Sequence, residues 1–194
     1  MSKIFYLMGK SCSGKDTIFK RLKESEELNL KTVTIYTTRP IRAKELNGRE
    51  YNFVTDKELF EFEKEEKIIE KRDYNTVHGI WTYFTADDGQ INLENDNYIM
   101  MGTLESFEKI REHYGQERVI PIYIEVSDEE RLERAIRREK KQAQPKYQEL
   151  CRRFLADSQD FSDENIEKHG VVKRYVNTDL EACIQEILKD ITPL

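Results

Sequence analysis

The 194-residue sequence contains no apolar run longer than five residues, the stretch from Ile4 to Met8. No segment therefore approaches the roughly 18 residues that a membrane-crossing helix needs. No basic segment leads into an apolar stretch of about 7–15 residues, so no secretory signal is expected. Cysteine is scarce: Cys12, Cys151 and Cys183 are odd in number and far apart. That leaves no basis for a disulfide framework or a zinc site, and the expected location is a reducing cytoplasm. An excess of positive charge is also missing. Lys and Arg number 32 against 38 Asp and Glu, a formal charge of −6. This argues against a dedicated nucleic-acid binder but leaves local basic clusters free to hold small anions. The sequence has no internal repeat and no low-complexity tract.

What is present is a polar surface around a modest core. Charged residues make up 36% and hydrophobic ones 38%, with a mean hydropathy of −0.78. Nine Phe, ten Tyr and one Trp recur with β-branched residues along the whole chain, so a folded state is expected rather than disorder. The length fits one domain. Ile4-Phe5-Tyr6-Leu7-Met8 reads as a strand buried on both faces of a parallel sheet. Glycines at 9 and 14 break it, and a helical pattern with Ile18, Leu22 and Leu28 follows. Val33-Thr34-Ile35-Tyr36 reads as a second strand, and Tyr98–Met101 and Val119–Ile124 as two more. Pro121 fits a strand start or edge better than a centre. Helical spacing runs between those two strands, over 103–113. Thr55-x-x-Glu58, Ser127-x-x-Glu130 and Thr178-x-x-Glu181 each predict a helix start, and Pro145 predicts another helix running to about Asp160. Strand–helix alternation implies a parallel α/β sheet with right-handed crossovers. The polar texture of 37–89 and the charged helices of 127–160 read as insertions at one edge of it.

Gly9-Lys10-Ser11-Cys12-Ser13-Gly14-Lys15-Asp16-Thr17 has the G-x-x-x-x-G-K spacing of a phosphate-binding loop. Glycines let the backbone curl so that successive N–H groups form an anion nest. The helix that follows adds its positive end, and Lys15 adds a full charge. The usual motif has Ser or Thr after the Lys, holding magnesium; here Asp16 stands there and Thr17 follows. Asp16 is expected either to hold the metal, directly or through water, or to face away as a first-turn acid. Downstream, Arg39 and Arg42 lie beside Thr37 and Thr38, where two arginines three apart can fork a second phosphate, with the Tyr51 hydroxyl closing it.

Taken together, Gly9-x-Ser11-x-x-Gly14-Lys15-x-Thr17 and Thr37-Thr38-Arg39 with Arg42, Glu45, Asn47-Gly48 and Tyr51-x-Phe53-Val54 resemble guanylate kinase. Glu70 sits where that family has a guanine-contacting glutamate. Val176-Asn177-Thr178-Asp179-Leu180 resembles its late adenine-side stretch, and Arg134, Arg138 and Arg153 resemble its lid arginines. The resemblance implies a three-layer P-loop kinase fold of the α/β class. A central parallel sheet (core 1–36, 96–126 and 161–194) would carry a small mixed α/β acceptor-binding lobe (37–89) and a helical lid (127–160). It implies magnesium-dependent transfer of the ATP γ-phosphoryl group to GMP or dGMP, with no nucleic-acid or membrane partner. Lys10 to Thr17, with Gly9, Arg134 and Asn177, would bind ATP. Arg39, Arg42, Tyr51, Glu70 and His78 would bind GMP, and Lys15, Arg39, Arg42, Arg138 and Arg153 would neutralise charge in transfer. The sequence departs from the family at His78-Gly79-Ile80, where a Tyr-Gly-Ser or Tyr-Gly-Thr is usual. It departs again at Met100-Met101-Gly102, which lacks the usual carboxylates. Two alternatives remain open: another phosphorylated acceptor such as a ribose bisphosphate, and a non-catalytic protein-binding module.

Overall fold

The computed structural model describes residues 1–76 and 79–192. The chain opens with β1 (Ile4–Met8), every residue of which is buried, and α1 (Lys15–Lys23). Two short strands follow, β2 (Lys31–Thr32) and β3 (Tyr36–Thr37), then β4 (Asn52–Phe53) and α2 (Asp56–Lys64). A long hairpin comes next, β5 (Ile68–Thr76) and β6 (Gly79–Ala86), then β7 (Tyr98–Met101), α3 (Leu104–Tyr114) and β8 (Val119–Glu125). The chain closes with α4 (Asp128–Glu139), α5 (Tyr147–Asp160), α6 (Asp163–Lys168), β9 (Arg174–Val176) and α7 (Leu180–Ile191).

β1 sits at the centre of a fully parallel sheet of order β2-β7-β1-β8-β9. Alternation along a strand sends successive side chains to opposite faces. Ile4, Tyr6 and Met8 join one buried cluster, with Leu104, Phe107 and Ile110 of α3. Phe5 and Leu7 join the other, with Ile18 and Leu22 of α1 and Ile184 and Ile187 of α7. Helices thus cover both faces, giving the expected three layers. Pro121 is the third residue of β8 and holds a local edge position, as its sequence predicts. It is tolerated because β9 pairs only from Tyr123 onward, so Pro121 has a strand on one side alone.

A second sheet of order β4-β3-β6-β5 is built entirely from residues 36–86. β3 pairs parallel to β4 and antiparallel to β6. The segment 33–35 is not a strand, contrary to its sequence pattern. The chain leaves the main sheet after Thr32 and enters the second at Tyr36. In between, the Thr34 N–H donates to Gln90 Oε1 (3.0 Å), and its carbonyl accepts from Asn52 Nδ2 (3.0 Å). A side chain from each neighbouring segment replaces a ladder.

The caps follow the sequence closely with two shifts. Thr55 and Glu58 form the reciprocal box at α2, and Ser127 accepts from the Glu130 N–H at α4. At α7 the cap is Asp179, not Thr178: its carboxylate accepts from the Ala182 N–H (2.8 Å), a stronger acceptor one residue on. α5 starts at Tyr147, not at Pro145, and lacks a side-chain cap. α6, capped by Ser162, was not expected from the pattern. No helix among the described residues is long and apolar enough to cross a membrane.

Phe107 is fully buried and packs against Tyr6 at 5.6 Å between ring centroids. Phe107→Ala should lower unfolding free energy by about 3–5 kcal/mol in a urea titration, the range for a buried aromatic truncated to a cavity.

Candidate functional site

The loop from Gly9 to Gly14 carries the chain from the end of β1 into α1. Cys12 (φ 67°) and Gly14 (φ 92°) both take left-handed backbone, which tightens the turn. A Cβ on Gly9 would stand 2.6 Å from the Ile124 carbonyl oxygen, and one on Gly14 would run into Asn177 Nδ2. The loop is pinned from below, since Asn177 Nδ2 donates to the Ser13 carbonyl (2.7 Å). Nothing caps the first turn of α1 with a side chain, so its positive end stays open to an anion. The Lys15 ammonium lines the adjoining cleft and makes no ion pair with a described residue. Asp16 and Thr17 are exposed one and two residues further on, and the Asp16 carboxylate has no hydrogen-bond or ion-pair partner among the described residues.

Helices α4 and α5 reach this loop from one side. Arg131 is buried, and its Nε donates to the Ser11 carbonyl (3.2 Å) while its guanidinium lies over the Phe154 ring (4.4 Å). Asp157 Oδ2 accepts from the Ser11 N–H at 2.6 Å. Arg131, Arg138 and Arg153 converge with Ser11 and Cys12 on a cavity of about 20 Å³. Arg131 Nη2, Arg153 Nε and Ser13 Oγ are buried there or beside it without a hydrogen-bond partner. Arg131 Nη2 and Arg153 Nε have carboxylates at ion-pair distance instead, Asp157 at 3.6 Å and Glu149 at 3.7 Å. Arg134 stands apart. Its Nε donates to Glu130 (2.7 Å) and its Nη2 to the Asn177 carbonyl (3.0 Å), linking it to the segment after β9.

A cleft of about 420 Å³ separates the loop from the second sheet. Gly9, Ser11 and Lys15 form one wall. Tyr51, Arg72, Tyr74, Trp81 and Tyr83 form the other, and Met101, Gly102 and Thr103 lie between them. Burial raises the Tyr51 phenol above its ordinary value, so it is a neutral hydroxyl at physiological pH.

The acceptor residues named from sequence are placed unevenly. Tyr51 lines the cleft. Arg39 does not. It is buried between the Tyr51 and Phe53 rings, 5.3 Å from each centroid. Its Nη atoms bond both oxygens of Glu45 (2.8 and 3.0 Å), and its Nε donates to the Tyr83 hydroxyl (3.1 Å). Arg42 is exposed and lines, with Arg39 and Trp81, a neighbouring recess that meets the cleft at Trp81. The two guanidinium groups are thus near one another but not in the space that Lys15 faces. Glu70 requires a correction. Its side chain is buried, and Oε2 accepts from Arg72 Nε (2.9 Å) while Oε1 accepts from Arg72 Nη2 (3.2 Å) and Thr85 Oγ1 (2.8 Å). It does not line the cleft; Arg72 does. The reason is local: Arg72 lies two residues on along β5, on the same face, and folds back over the carboxylate. His78 lies outside the described residues. Among the described residues no group of three or more His, Cys, Asp or Glu side chains is arranged to hold a metal ion by itself.

Sequence reasoning missed Arg72, Asp157 and the buried role of Arg131. Signals for each exist in the spacing. Arg72 follows Glu70 by one strand period, Asp157 follows Arg153 by one helical turn, and Arg131 precedes Arg134 and Arg138 on one helix face.

Residues 1–191 match the family model described as guanylate kinase. A guanylate kinase of Porphyromonas gingivalis is 28% identical, with 98% of this chain and 97% of the relative covered. One of Mycoplasma mobile is 42% identical over 78 residues, covering 40% of this chain and 39% of the relative. The crystal structure of guanylate kinase from Anaplasma phagocytophilum has the same fold, with a TM-score of 0.65 at 22% identity over 98% of this chain and 84% of that one.

The Arg39–Glu45 pair has a readable pH signature. The Arg39 guanidinium holds the Glu45 carboxyl below the usual range. A lowered folded pKa stabilises the protein fully above the unfolded value and loses that contribution as pH falls through the folded one. Thermal unfolding of native chain and Glu45→Gln between pH 7 and pH 3 should therefore show the native chain more stable at pH 7, with the gap closing as the solution is acidified.

Proposed function

The chain belongs to the guanylate kinase family, whose members are ATP-dependent nucleoside monophosphate kinases, and from that premise we propose that it moves the γ-phosphoryl group of ATP to GMP or dGMP with magnesium. The observation that carries this reading is the cleft itself: a phosphate loop with an unpaired lysine on one wall faces an aromatic wall backed by arginines on the other. Phosphoryl transfer asks little of a protein beyond in-line placement and neutralisation of spread negative charge.

In this reading the loop amides, the open end of α1 and Lys15 hold the ATP phosphates, while Arg134 and Asn177 face the adenine. An oxygen of the acceptor phosphate attacks the γ-phosphorus, the bond to the β-γ bridging oxygen breaks, and ADP leaves. No residue becomes covalently modified. Buried Arg131 and the more exposed Arg138 and Arg153 supply the guanidinium donors that meet the transferring group. Arg42 offers a guanidinium without an ion-pair partner to the acceptor phosphate. Arg39 retains one unbonded N–H and sets Tyr83 and Tyr51 against the same group.

Magnesium fits the residues present in a particular way. The exposed Asp16 carboxylate and the Thr17 hydroxyl are hard oxygen donors beside the loop and would be the protein groups to hold it together with the nucleotide phosphates. When bound it neutralises the β- and γ-phosphate oxygens.

Assays of ADP release across a panel of phosphorylated acceptors test the assignment. Turnover with GMP or dGMP is expected, and its absence beside turnover of a ribose bisphosphate would replace the acceptor. Lys15→Met should lower kcat about 10³-fold with melting temperature unchanged, since one charge-stabilising donor is lost and Lys15 makes no ion pair in the fold. Asp16→Ser should shift the magnesium concentration for half-maximal rate; an unchanged magnesium profile would remove Asp16 from the metal site.

A further inference from the structure

A carboxylate of α5 stands on one amide of the phosphate loop. Asp157 Oδ2 accepts from the Ser11 N–H at 2.6 Å, and its side chain is mostly buried. The same residue lines the cleft with Gly9, Ser11 and Lys15, and no other carboxylate lines that cleft among the described residues. Three further contacts bind this face of α4 and α5 to the loop. Arg131 Nε donates to the Ser11 carbonyl at 3.2 Å, Arg131 Nη2 lies 3.6 Å from Asp157, and Lys10 Nζ lies 3.7 Å from Asp128 in the first turn of α4. The Ser11 residue is therefore held at both ends, its N–H by α5 and its carbonyl by α4. An ionised acceptor makes one of the stronger hydrogen bonds open to a backbone amide. An amide that serves a carboxylate is not serving a phosphate, and a carboxylate at the rim of an anion nest repels a polyphosphate that enters it.

Resting on the kinase reading above, we propose that Asp157 is an internal competitor of the donor polyphosphate: its carboxylate latches α5 to the loop through the Ser11 amide and gives way as the phosphates enter. The displacing ligand is a polyphosphate whose oxygens take the loop amides, with or without a base attached. Only hydrogen bonds and ion pairs are exchanged. Arg131 keeps Asp128 and the Ser11 carbonyl when Asp157 withdraws, so it is not left as a lone buried charge. Its Nη2 then turns from Asp157 to a phosphate oxygen. Binding must first break a contact that the protein makes with itself, so the loop expresses only part of its intrinsic affinity for phosphate. The rival role, a fixed brace that shapes the loop for ATP, has the opposite sign: removing the carboxylate would then weaken phosphate binding.

Calorimetric titration with tripolyphosphate, which carries the charged oxygens and no base, reads the loop without turnover. Asp157→Asn keeps an oxygen for the Ser11 amide but loses the charge. It should bind tripolyphosphate about 5–30-fold tighter than the native chain and lower KM for ATP to a similar extent, while KM for GMP stays within about twofold. Asp157→Ala removes the acceptor as well and should tighten tripolyphosphate at least as much. Asp160 lies on the same helix but lines the neighbouring recess and not the cleft. Asp160→Asn removes an equal charge without touching the loop, so its affinity should stay within about twofold of the native value. Unchanged or weaker binding by either Asp157 variant that retains the native unfolding transition would overturn the latch and leave the kinase reading intact. Equal tightening by Asp160→Asn would do the same. Absence of both tripolyphosphate binding and nucleotide turnover in every protein tested would overturn both.

Discussion

The turn from Gly9 to Gly14 is the constraint on which the site depends. It must pass within contact distance of the Ile124 carbonyl and of Asn177, so β8 and the segment after β9 set its height above the sheet. In return it delivers the uncapped end of α1 and Lys15 to the mouth of one cleft. The lid reads the same turn from outside through Ser11, whose amide and carbonyl bond Asp157 and Arg131. Sheet, loop and lid therefore share a few backbone groups. A change at any of the three partners would shift the loop itself.

Buried charge is the second theme, and it separates holding from reading. Arg39 with Glu45 and Arg72 with Glu70 are both bidentate pairs with one or both partners deeply buried. Removing one member of such a pair leaves an uncompensated charge, which costs far more than the pair itself contributes. Each pair thereby locks a piece of the second sheet. Arg39 is held by Glu45 and Tyr83 and fixes the 40–45 turn, and Glu70 is held by Arg72 and Thr85. Tyr51 and Arg72 line the cleft, and Arg42 lines the recess beside it.

The lid arginines show a different balance. Arg134 is engaged by Glu130 and Asn177, whereas Arg131 and Arg153 keep buried nitrogens without hydrogen bonds. Both nitrogens have a carboxylate at ion-pair distance, Asp157 and Glu149, without the geometry of a hydrogen bond, so each keeps bonding capacity that an anion could use. The fold thus tolerates a local cost where its chemistry requires charge.

Much of this was legible in the chain itself. The all-apolar run 4–8 could only be a central parallel strand, since both its faces must be covered. G-x-x-x-x-G-K after it demanded a phosphate loop, and Thr55 and Ser127 marked helix starts because capping is a contact between residues three apart. Local geometry settles local contacts. Only the tertiary structure decided that Val33–Ile35 is a crossing between two sheets, that Arg39 is buried, and that Glu70 is bonded by Arg72. A side chain's partner across 15 or 44 positions, such as Thr85 for Glu70 or Tyr83 for Arg39, depends on sheet register. A carboxylate's role follows from whichever cation the register sets beside it.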